Sequence, residues 1–509
     1  MPGDLVIGID SSTTATKAIA WDREGRSRGE GRARIPISNP RPSWWEQDPE
    51  DWWSSATTAI SEVVHQVGSG EIAGLAISNQ RETFGVFDGE GKPLRPGMVW
   101  LDQRSRIEVE RIVQTVGADR IHRISGKPPD VIPCLYRFLW LATHERETWL
   151  GASKIADVHG FLAFRLTGRW TTSTASADPG GALDMERMKW SDILLEAAET
   201  PAEKMLALLR PGEVIGEVTR KAAEATGLRP GTRVIAGGGD GQCAGTGTNA
   251  LEPRRAYANL GTAVVSGSFS SRYVTGKAFR TMSAVAEQGY ICEAVLRTGT
   301  FLVNWFVSEF LSLAAQDGGD IFRRLEDEAA AVPIGANGVI AVPYWGACMT
   351  PYWDDAARGV IAGLSDSTKR ADIYRALLEG IALELSMITH RIMRETGSVI
   401  DHYVAIGGGA TSDLWCRILA DASGLRVDRL ATLEASSLGA GIAAAKGIGW
   451  YASFAEAAAA MSGRPVASFE PDERRHRRYR ELRAIYEDLW PIISQWNARL
   501  TRFAREPQP

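Results

Sequence analysis

Five short stretches carry the residue types that can do chemistry. In Arg233-Val-Ile-Ala-Gly-Gly-Gly-Asp240-Gly-Gln-Cys, an apolar run ends in three glycines and a carboxylate, the pattern of a buried strand whose tip lets backbone come close to a ligand. An acid held rigidly there can act as a base. The Ala- and Gly-rich sequence that follows suggests a helix packed tightly on a sheet, turning Asp240 and Gln242 toward a cleft, although a lone glycine-rich turn with a solvated Asp reads the same way. Near the N-terminus, Leu5-Val-Ile-Gly-Ile-Asp10 runs into Ser11-Ser12-Thr13-Thr14-Ala-Thr-Lys17. Small and hydroxyl residues in such a turn leave N–H groups free for phosphate oxygens, Lys17 adds positive charge, and Asp10 stands where it can hold a magnesium ion; serine and threonine are also ordinary hairpin residues. Gln80-Arg81-Glu82-Thr83 ends a third apolar run, and Arg81 beside Glu82 offers donors and acceptors to several hydroxyls at once, as a small polyol requires; a surface ion pair is the plainer alternative. The second half contributes Leu260-Gly261-Thr262 and Gly407-Gly408-Gly409-Ala410-Thr-Ser-Asp413. The first repeats the strand, small-residue turn, strand theme around Asp10. The second admits a flat ring against its backbone, with Asp413 either capping the next helix or touching a base or ribose.

Strands and helices alternate in the pattern that would hold these tips. Apolar runs over 5–10, 18–22, 73–79, 233–239, 255–260, 338–343 and 402–406 read as strands, and Asp48-Pro49 opens a helix to about Val67. Residues 103–200 read as mostly helical, 171–178 as a loop or edge strand bordering the cleft, 201–230 as a linker, and 370–395 as a long helix. The paired tryptophans of Trp44-Trp-Glu-Gln-Asp-Pro-Glu-Asp-Trp-Trp53 read as core. With 509 residues, more than one core usually supports, the expectation is an α/β protein of two similar domains, 1–248 and 249–509, with the chemistry in the cleft between them.

Composition removes several classes. A net charge of −5 with 23% charged residues gives no basic surface for nucleic acid, and no apolar segment approaches a membrane span. The first residues, Met1-Pro2-Gly-Asp4, show no signal-peptide pattern, which makes the cytoplasm the simplest compartment. Five cysteines lie far apart without a C-x-x-C pair, arguing against a disulfide framework or a zinc site. Seven scattered histidines offer no helical metal spacing, so any metal would be held by carboxylates and phosphate.

The combination of hydroxyl hairpin, acid after Gly-Gly-Gly, Gly-Thr hairpin and Gly-Gly-Ala tip resembles the FGGY carbohydrate kinases of the actin-like ATPase superfamily over nearly the whole chain. That family's C-terminal signature is matched by Gly359-Val-Ile-Ala-Gly-Leu364 with Asp372-Ile and Ala376-Leu-Leu-Glu379, and its N-terminal one around Arg137 to Trp140. The resemblance implies two actin-like (ribonuclease H-like) domains, the first binding the sugar and the second the nucleotide, and ATP with Mg2+ in an interdomain cleft. It assigns the general base to Asp240, phosphate contacts to Ser12, Thr13, Thr14, Lys17, Gly261 and Thr262, and the adenosine to Gly408, Gly409 and Ala410 with Asp413 beside them. Arg81, Glu82, Asp240 and Gln242 would face a small sugar or polyol. Gln80 to Thr83 looks like the polyol segment of glycerol kinases, whereas 407–445 looks like xylulokinases, which usually carry Met-His in place of Arg81-Glu82. A ketopentose such as xylulose is the leading substrate, with glycerol- or erythritol-type polyols and autoinducer-type compounds as the alternative. Family members often form homo-oligomers.

Two rival classes fit less well. Gly239-x-Gly241-x-x-Ala244 loosely matches a dinucleotide fingerprint, but Asp240 inside it would repel a pyrophosphate. A non-catalytic actin-like ATPase would share the hairpins yet have no use for Arg81-Glu82 beside a base. No Walker A motif occurs, which excludes a P-loop kinase.

Overall fold

The computed structural model describes residues 3–252, 254–311 and 318–505; Met1 and Pro2 of the N-terminal run lie outside the described residues. Two large sheets organise the chain. The first holds β1 (Leu5–Ser11), β2 (Ala15–Trp21), β3 (Ser27–Arg34), β4 (Ile72–Asn79), β5 (Val214–Glu217) and β6 (Arg233–Gly239), in the order β5-β6-β4-β1-β2-β3. The second holds β7 (Arg255–Leu260), β8 (Val264–Ser270), β9 (Arg280–Ser283), β10 (Tyr290–Leu296), β11 (His402–Ile406), β12 (Arg426–Leu430) and β13 (Pro465–Phe469), in the order β9-β10-β8-β7-β11-β12-β13.

Six strands of the second sheet match those of the first, and β9 adds a seventh at its edge, antiparallel to β10. In the first, β6, β4 and β1 are parallel and β5, β2 and β3 are added antiparallel. In the second, β12, β11 and β7 are parallel and β13, β8 and β10 are added antiparallel. The repeat expected from two similar hairpins therefore extends across both halves. Parallel strands covered on both faces read as continuous apolar runs, and β1, β4, β6, β7 and β11 do.

Local signals start the flanking helices where expected. Helix α1 (Pro49–Val67) has Asp48 as its N-cap, accepting from the Glu50 N–H, and proline at its first position. Trp52, in its first turn, is fully buried. Helix α2 (Asp240–Gly247) follows β6 directly. The second half supplies α3 (Arg370–Thr396), α4 (Asp413–Ser423), α5 (Ala435–Gly447) and a C-terminal α6 (Glu473–Arg505).

The halves join where α2 crosses α5. A Cβ at Gly439 would stand 1.9 Å from the Cys243 carbonyl oxygen, and one at Gly247 would stand 2.1 Å from that of Ala435. Only glycine permits backbones this close. Although it lies late in the chain, α5 packs on the first sheet, its Leu438, Ala440 and Ile442 buried with Val6, Ile19, Ala76 and Ile235.

Residues 201–230 are not a linker. Val214–Glu217 pairs antiparallel with β6, and Arg220–Thr226 is a helix capped by Thr219, so this stretch completes the first domain. Its Pro- and Gly-rich composition hides a strand of only four residues. Residues 103–200 contain the helices expected but also short strands at Lys154–Asp157 and Thr171–Ser173. The 171–178 stretch, expected as a loop or edge strand, is a strand over Thr171–Ser173 and a helix over Thr174–Ala177, buried except for a partly exposed Thr171. Among the described residues no helix is long and apolar enough to cross a membrane.

Candidate active site

Register places the first cluster. Ser78 pairs with Asp10 on one side and Gly238 on the other, and Asn79 pairs with Ser11 and Gly239. The Asp10 turn, the Gln80–Thr83 segment and Asp240 therefore emerge together at the carboxyl ends of three adjacent parallel strands, the edge at which open α/β sheets bind ligands.

Asp240 is the first residue of α2, and its Oδ1 accepts from the Gly241 N–H at 2.7 Å. Arg81 Nε approaches the same oxygen at 2.8 Å. Its side chain keeps 39% of its surface exposed, so it is open to solvent at this strand edge. Burial raises its pKa, Arg81 and the Gly241 N–H pull it back, and the carboxylates of Glu82 and Glu293 push it up, leaving it above the usual aspartate value.

Arg81 and Glu82 do not form the surface pair that neighbouring opposite charges suggest. Both are buried, and each is bound by the second domain. Arg81 Nη1 donates to Glu293 Oε2 at 2.6 Å, Arg280 Nη1 donates to Glu82 Oε1 at 2.6 Å, and Arg280 Nε donates to Glu293 Oε1 at 2.7 Å. Burial alone would raise Glu293, but the guanidiniums of Arg81 and Arg280 outweigh it and hold its pKa below the usual glutamate value. Glu82 has φ of +50°, uncommon for a residue with a side chain and typical of functional sites. Arg137, fully buried on the helix Cys134–His144, stabilises that turn by donating to the Glu82 and Ile132 carbonyls, each at 2.6 Å, and to that of Val99, also at 2.6 Å. Behind Glu82 lies a cavity of about 40 Å3 bordered by Cys134, Phe138 and Asp157.

Gln242 departs from expectation. It is buried and points inward, its Nε2 donating to the Ala175 carbonyl at 2.8 Å and to Asp178 Oδ1 at 3.3 Å. Its Oε1 has no hydrogen-bond partner among the described residues. Helical spacing turns the third residue of α2 away from the face that presents the first.

Beside Asp240 stands the hairpin between β1 and β2. Ser12 Oγ donates to the Ala15 carbonyl at 2.8 Å, Thr13 Oγ1 accepts from Trp100 Nε1 at 2.9 Å, and Thr14 is exposed. Gln47 Nε2 holds the Thr13 carbonyl at 2.6 Å while its Oε1 accepts from Trp52 and Gln80, tying the hairpin to the Arg81 segment. Lys17 pairs with Glu434 of the second half. Asp10 accepts from Ser78 Oγ at 2.9 Å. Burial, then the charges of Asp240 and Glu434, push its pKa up to about 7 against the Ser78 hydrogen bond and Lys17. Among the described residues no group of three or more His, Cys, Asp or Glu side chains is set to hold a metal ion by itself.

The second-domain tips also lie side by side. β7 and β11 are parallel neighbours, with Asn259 opposite Ile406, so Gly261-Thr262 and Gly407-Gly408 emerge next to each other. Thr262 and Gly408 are exposed, and nothing lies within 4 Å of where a Gly408 Cβ would stand. Gly409 is closed in by the Trp415 ring and the Leu260 carbonyl, and Ala410 is buried. The cap of α4 is Ser412, whose side chain accepts from the Trp415 N–H; Asp413, for which capping was one of two expected roles, instead pairs with Arg429 at 2.8 Å and remains largely exposed.

Sequence alone gives no site role to five charged residues: Arg280, Glu293, Glu434, Lys127 and Asp178. Lys127 and Asp178 are buried 3.6 Å apart. Burial lowers the lysine to about 8 and raises the aspartate to about 6, each partly restored by the other. The Ser283 N–H on β9 also donates to Asp178, so this pair too joins the two halves. The available signal was a charged residue inside an apolar run, as with Glu293 in Tyr290-Ile-Cys-Glu-Ala-Val-Leu296.

Comparison with known proteins agrees with this geometry. The N-terminal domain model of the FGGY family of carbohydrate kinases matches residues 5–247, and the C-terminal domain model matches residues 256–448. The chain is 28% identical to xylulose kinase of Bacillus subtilis over 98% of its own length and 99% of that protein. It is 29% identical to glycerol kinase of Thermococcus kodakarensis over 93% and 94%. The fold superposes on the crystal structure of gluconate kinase from Lactobacillus acidophilus with a TM-score of 0.91 at 22% identity, covering 97% of this chain and 99% of that one.

Proposed function

The chain belongs to the FGGY family of carbohydrate kinases, and from this premise we propose that it transfers the γ-phosphoryl group of ATP to a hydroxyl of a small sugar or polyol, with Asp240 as the base. The observation that carries the reading is the position of Asp240. It is a solvent-open carboxylate at a helix start, oriented by Arg81 Nε at 2.8 Å, beside the hydroxyl hairpin of Ser12 to Thr14.

In this reading the duplicated sheets are the two ribonuclease H-like, actin-like domains, and the facing hairpins grip the phosphate chain. Ser12, Thr13, Thr14, Gly261 and Thr262 offer N–H and hydroxyl groups to its oxygens, and Lys17 supplies positive charge. Gly408, Gly409 and Ala410 form the adenosine surface, with Asp413 at its edge. Asp10 fits magnesium because it is a partly buried acid beside the charges of Asp240 and Glu434, and this ion is typically held by one or two carboxylates together with substrate phosphates. Bound there, it would neutralise charge on the phosphates. Asp240 accepts the hydroxyl proton as the acceptor oxygen bonds to the γ-phosphorus and the bond to the β–γ bridging oxygen breaks, releasing ADP. Arg81 and Glu82 orient the acceptor and, through Arg280 and Glu293, connect its binding to closure of the domains.

The acceptor we favour is a ketopentose such as xylulose. A second reading, a glycerol- or erythritol-type polyol, draws on the buried Arg81–Glu82 pair, which presents a donor and an acceptor to adjacent hydroxyls. ADP release with ATP, Mg2+ and a panel of xylulose, ribulose, glycerol and erythritol distinguishes them, with the highest kcat/KM expected for xylulose. ATP turnover that no acceptor stimulates would point to the non-catalytic ATPase class.

A further inference from the structure

Between β6 and β4 the ladder slips by one residue just before Asp240. Ile235 pairs with Ala76 and Gly238 with Ser78, so Ala236 and Gly237 together face Ile77 alone. The extra residue is a β-bulge, a feature common beside active sites, where it re-aims a side chain. Without it Gly237 would pair with Ser78, and Asp240 would be carried about 3.3 Å further and turned to the opposite face. It would then lose Arg81 Nε, which lies at 2.8 Å. A Cβ at Gly237 would stand 2.1 Å from the Ile77 carbonyl oxygen, so only glycine lets the two backbones meet at the bulge.

Neither neighbouring strand pairs with Gly237, and side chains receive both of its backbone groups. Its N–H donates to His159 Nε2 at 3.2 Å, and its carbonyl accepts from Ser173 Oγ at 2.7 Å. His159 is fully buried at the start of the helix Val158–Thr167. One tautomer satisfies both ring nitrogens. Thr172 Oγ1 donates to Asp157 Oδ2 at 2.8 Å and lies 3.4 Å from His159 Nδ1. Nδ1 therefore carries the proton toward Thr172, and Nε2 keeps the lone pair that the Gly237 N–H needs. Burial lowers the histidine pKa against the charge of Asp157, which keeps the ring neutral at pH 7.

On the reading of Asp240 as the base, we propose that His159 is its positioning residue: by accepting from the Gly237 N–H it fixes the bulge that sets the carboxylate against Arg81. Ser173 holds the same glycine from its carbonyl side. This role requires only an acceptor where Nε2 stands. Glutamine can place an amide oxygen there, whereas leucine fills similar space and accepts nothing.

ADP release by the full chain at saturating ATP and acceptor is the test. His159→Leu should lower kcat roughly 10- to 100-fold, the scale of an ångström-sized misplacement at a reacting group. KM for ATP and the calorimetric affinity for Mg-ADP should stay within about twofold of wild type. His159→Gln should recover most of the lost kcat. In an Asp240→Asn background, where no base is left to aim, adding His159→Leu should change the residual kcat by less than about twofold. Ser173→Ala, which releases the Gly237 carbonyl, should lower kcat in the same way, and it decides the outcome if His159→Leu does not fold. Wild-type kcat in a folded His159→Leu, or failing that in Ser173→Ala, overturns the proposal. So does an equal loss in the leucine and glutamine variants, or a loss undiminished in the Asp240→Asn background. Wild-type turnover by Asp240→Asn itself refutes the base and with it the role of His159, whereas an impaired Asp240→Asn beside an unimpaired His159→Leu refutes the role of His159 alone.

Discussion

Replacing Asp240 with asparagine separates catalysis from folding because of how Arg81 is held. Arg81 keeps Glu293 at 2.6 Å whether or not Asp240 is charged, and its Nε still finds an amide oxygen where the carboxylate stood, 2.8 Å away. No buried arginine loses all its anionic partners, so the cost to folding should be about 1 kcal/mol, the scale of one weakened hydrogen bond. The cost to turnover should be far larger. An asparagine cannot take the hydroxyl proton, and loss of general-base catalysis typically removes 10²- to 10⁴-fold from kcat, roughly 3–5 kcal/mol of transition-state stabilisation. Nucleotide binding should persist. Asp240 is the charge that raises the Asp10 pKa most, so its neutralisation should leave Asp10 a better carboxylate for magnesium. Coupled ADP-release kinetics at saturating acceptor, calorimetric titration with Mg-ADP and a thermal melt measure the three quantities. If kcat stays within a few-fold of wild type on the best acceptor, Asp240 is not the base.

Glu293→Gln should do the reverse, lowering the melting temperature by the equivalent of roughly 3–5 kcal/mol, because it leaves Arg81 and Arg280 buried without the charge they share, and raising the acceptor KM more than that of ATP. Gly408→Ala, with open space around the new Cβ, should keep the wild-type melt while raising KM for ATP several-fold, whereas Gly439→Ala would drive a methyl into the Cys243 carbonyl and should reduce soluble yield. Glu384 lies fully buried in the second-domain core, accepting hydrogen bonds from Tyr344 and Tyr486, and burial pushes its pKa from 4.5 up to about 7. The folded state therefore holds a proton that the unfolded chain releases, so this stabilisation is complete below about pH 4.5 and disappears as pH rises through 7. Glu384→Gln should remove that part of the pH dependence, roughly 2–4 kcal/mol between pH 5 and 8, in melts across that range.

The strand tips could be read in the sequence because each is encoded contiguously. An apolar run followed by glycines or hydroxyls, as at Asp10, Asp240, Gly261 and Gly407, states both the strand and its end within a dozen residues, and the structure retains all four. Helix α1 was equally local, since Asp48 and Pro49 fix its start through hydrogen bonding and φ alone. The 201–230 strand was missed for the opposite reason. Its four residues are too few for alternation to register, and what makes them a strand is the edge of β6, supplied by residues that come later in the chain.

The charge network exposes the same limit where it bears on function. Arg81 and Glu82 are adjacent and opposite in sign, so local reasoning pairs them with each other or with solvent. Burial decides otherwise. Arg81 is 8% exposed and Glu82 is 7% exposed, and at that depth each needs several directional partners that a neighbouring side chain cannot supply. Those partners lie 212 and 198 residues away, on β9 and β10. The trace they leave in sequence is an arginine and a glutamate inside apolar strands, which is a demand for a distant partner without its address. Because Arg280 bonds both Glu82 and Glu293, the second domain holds Arg81 and Glu82 together and, through Arg81, sets the orientation of Asp240. In the proposed reading the acceptor site is thus complete only when the two halves are in contact, and Glu293, remote in sequence from Gln80 to Thr83, sets the geometry of the proposed base.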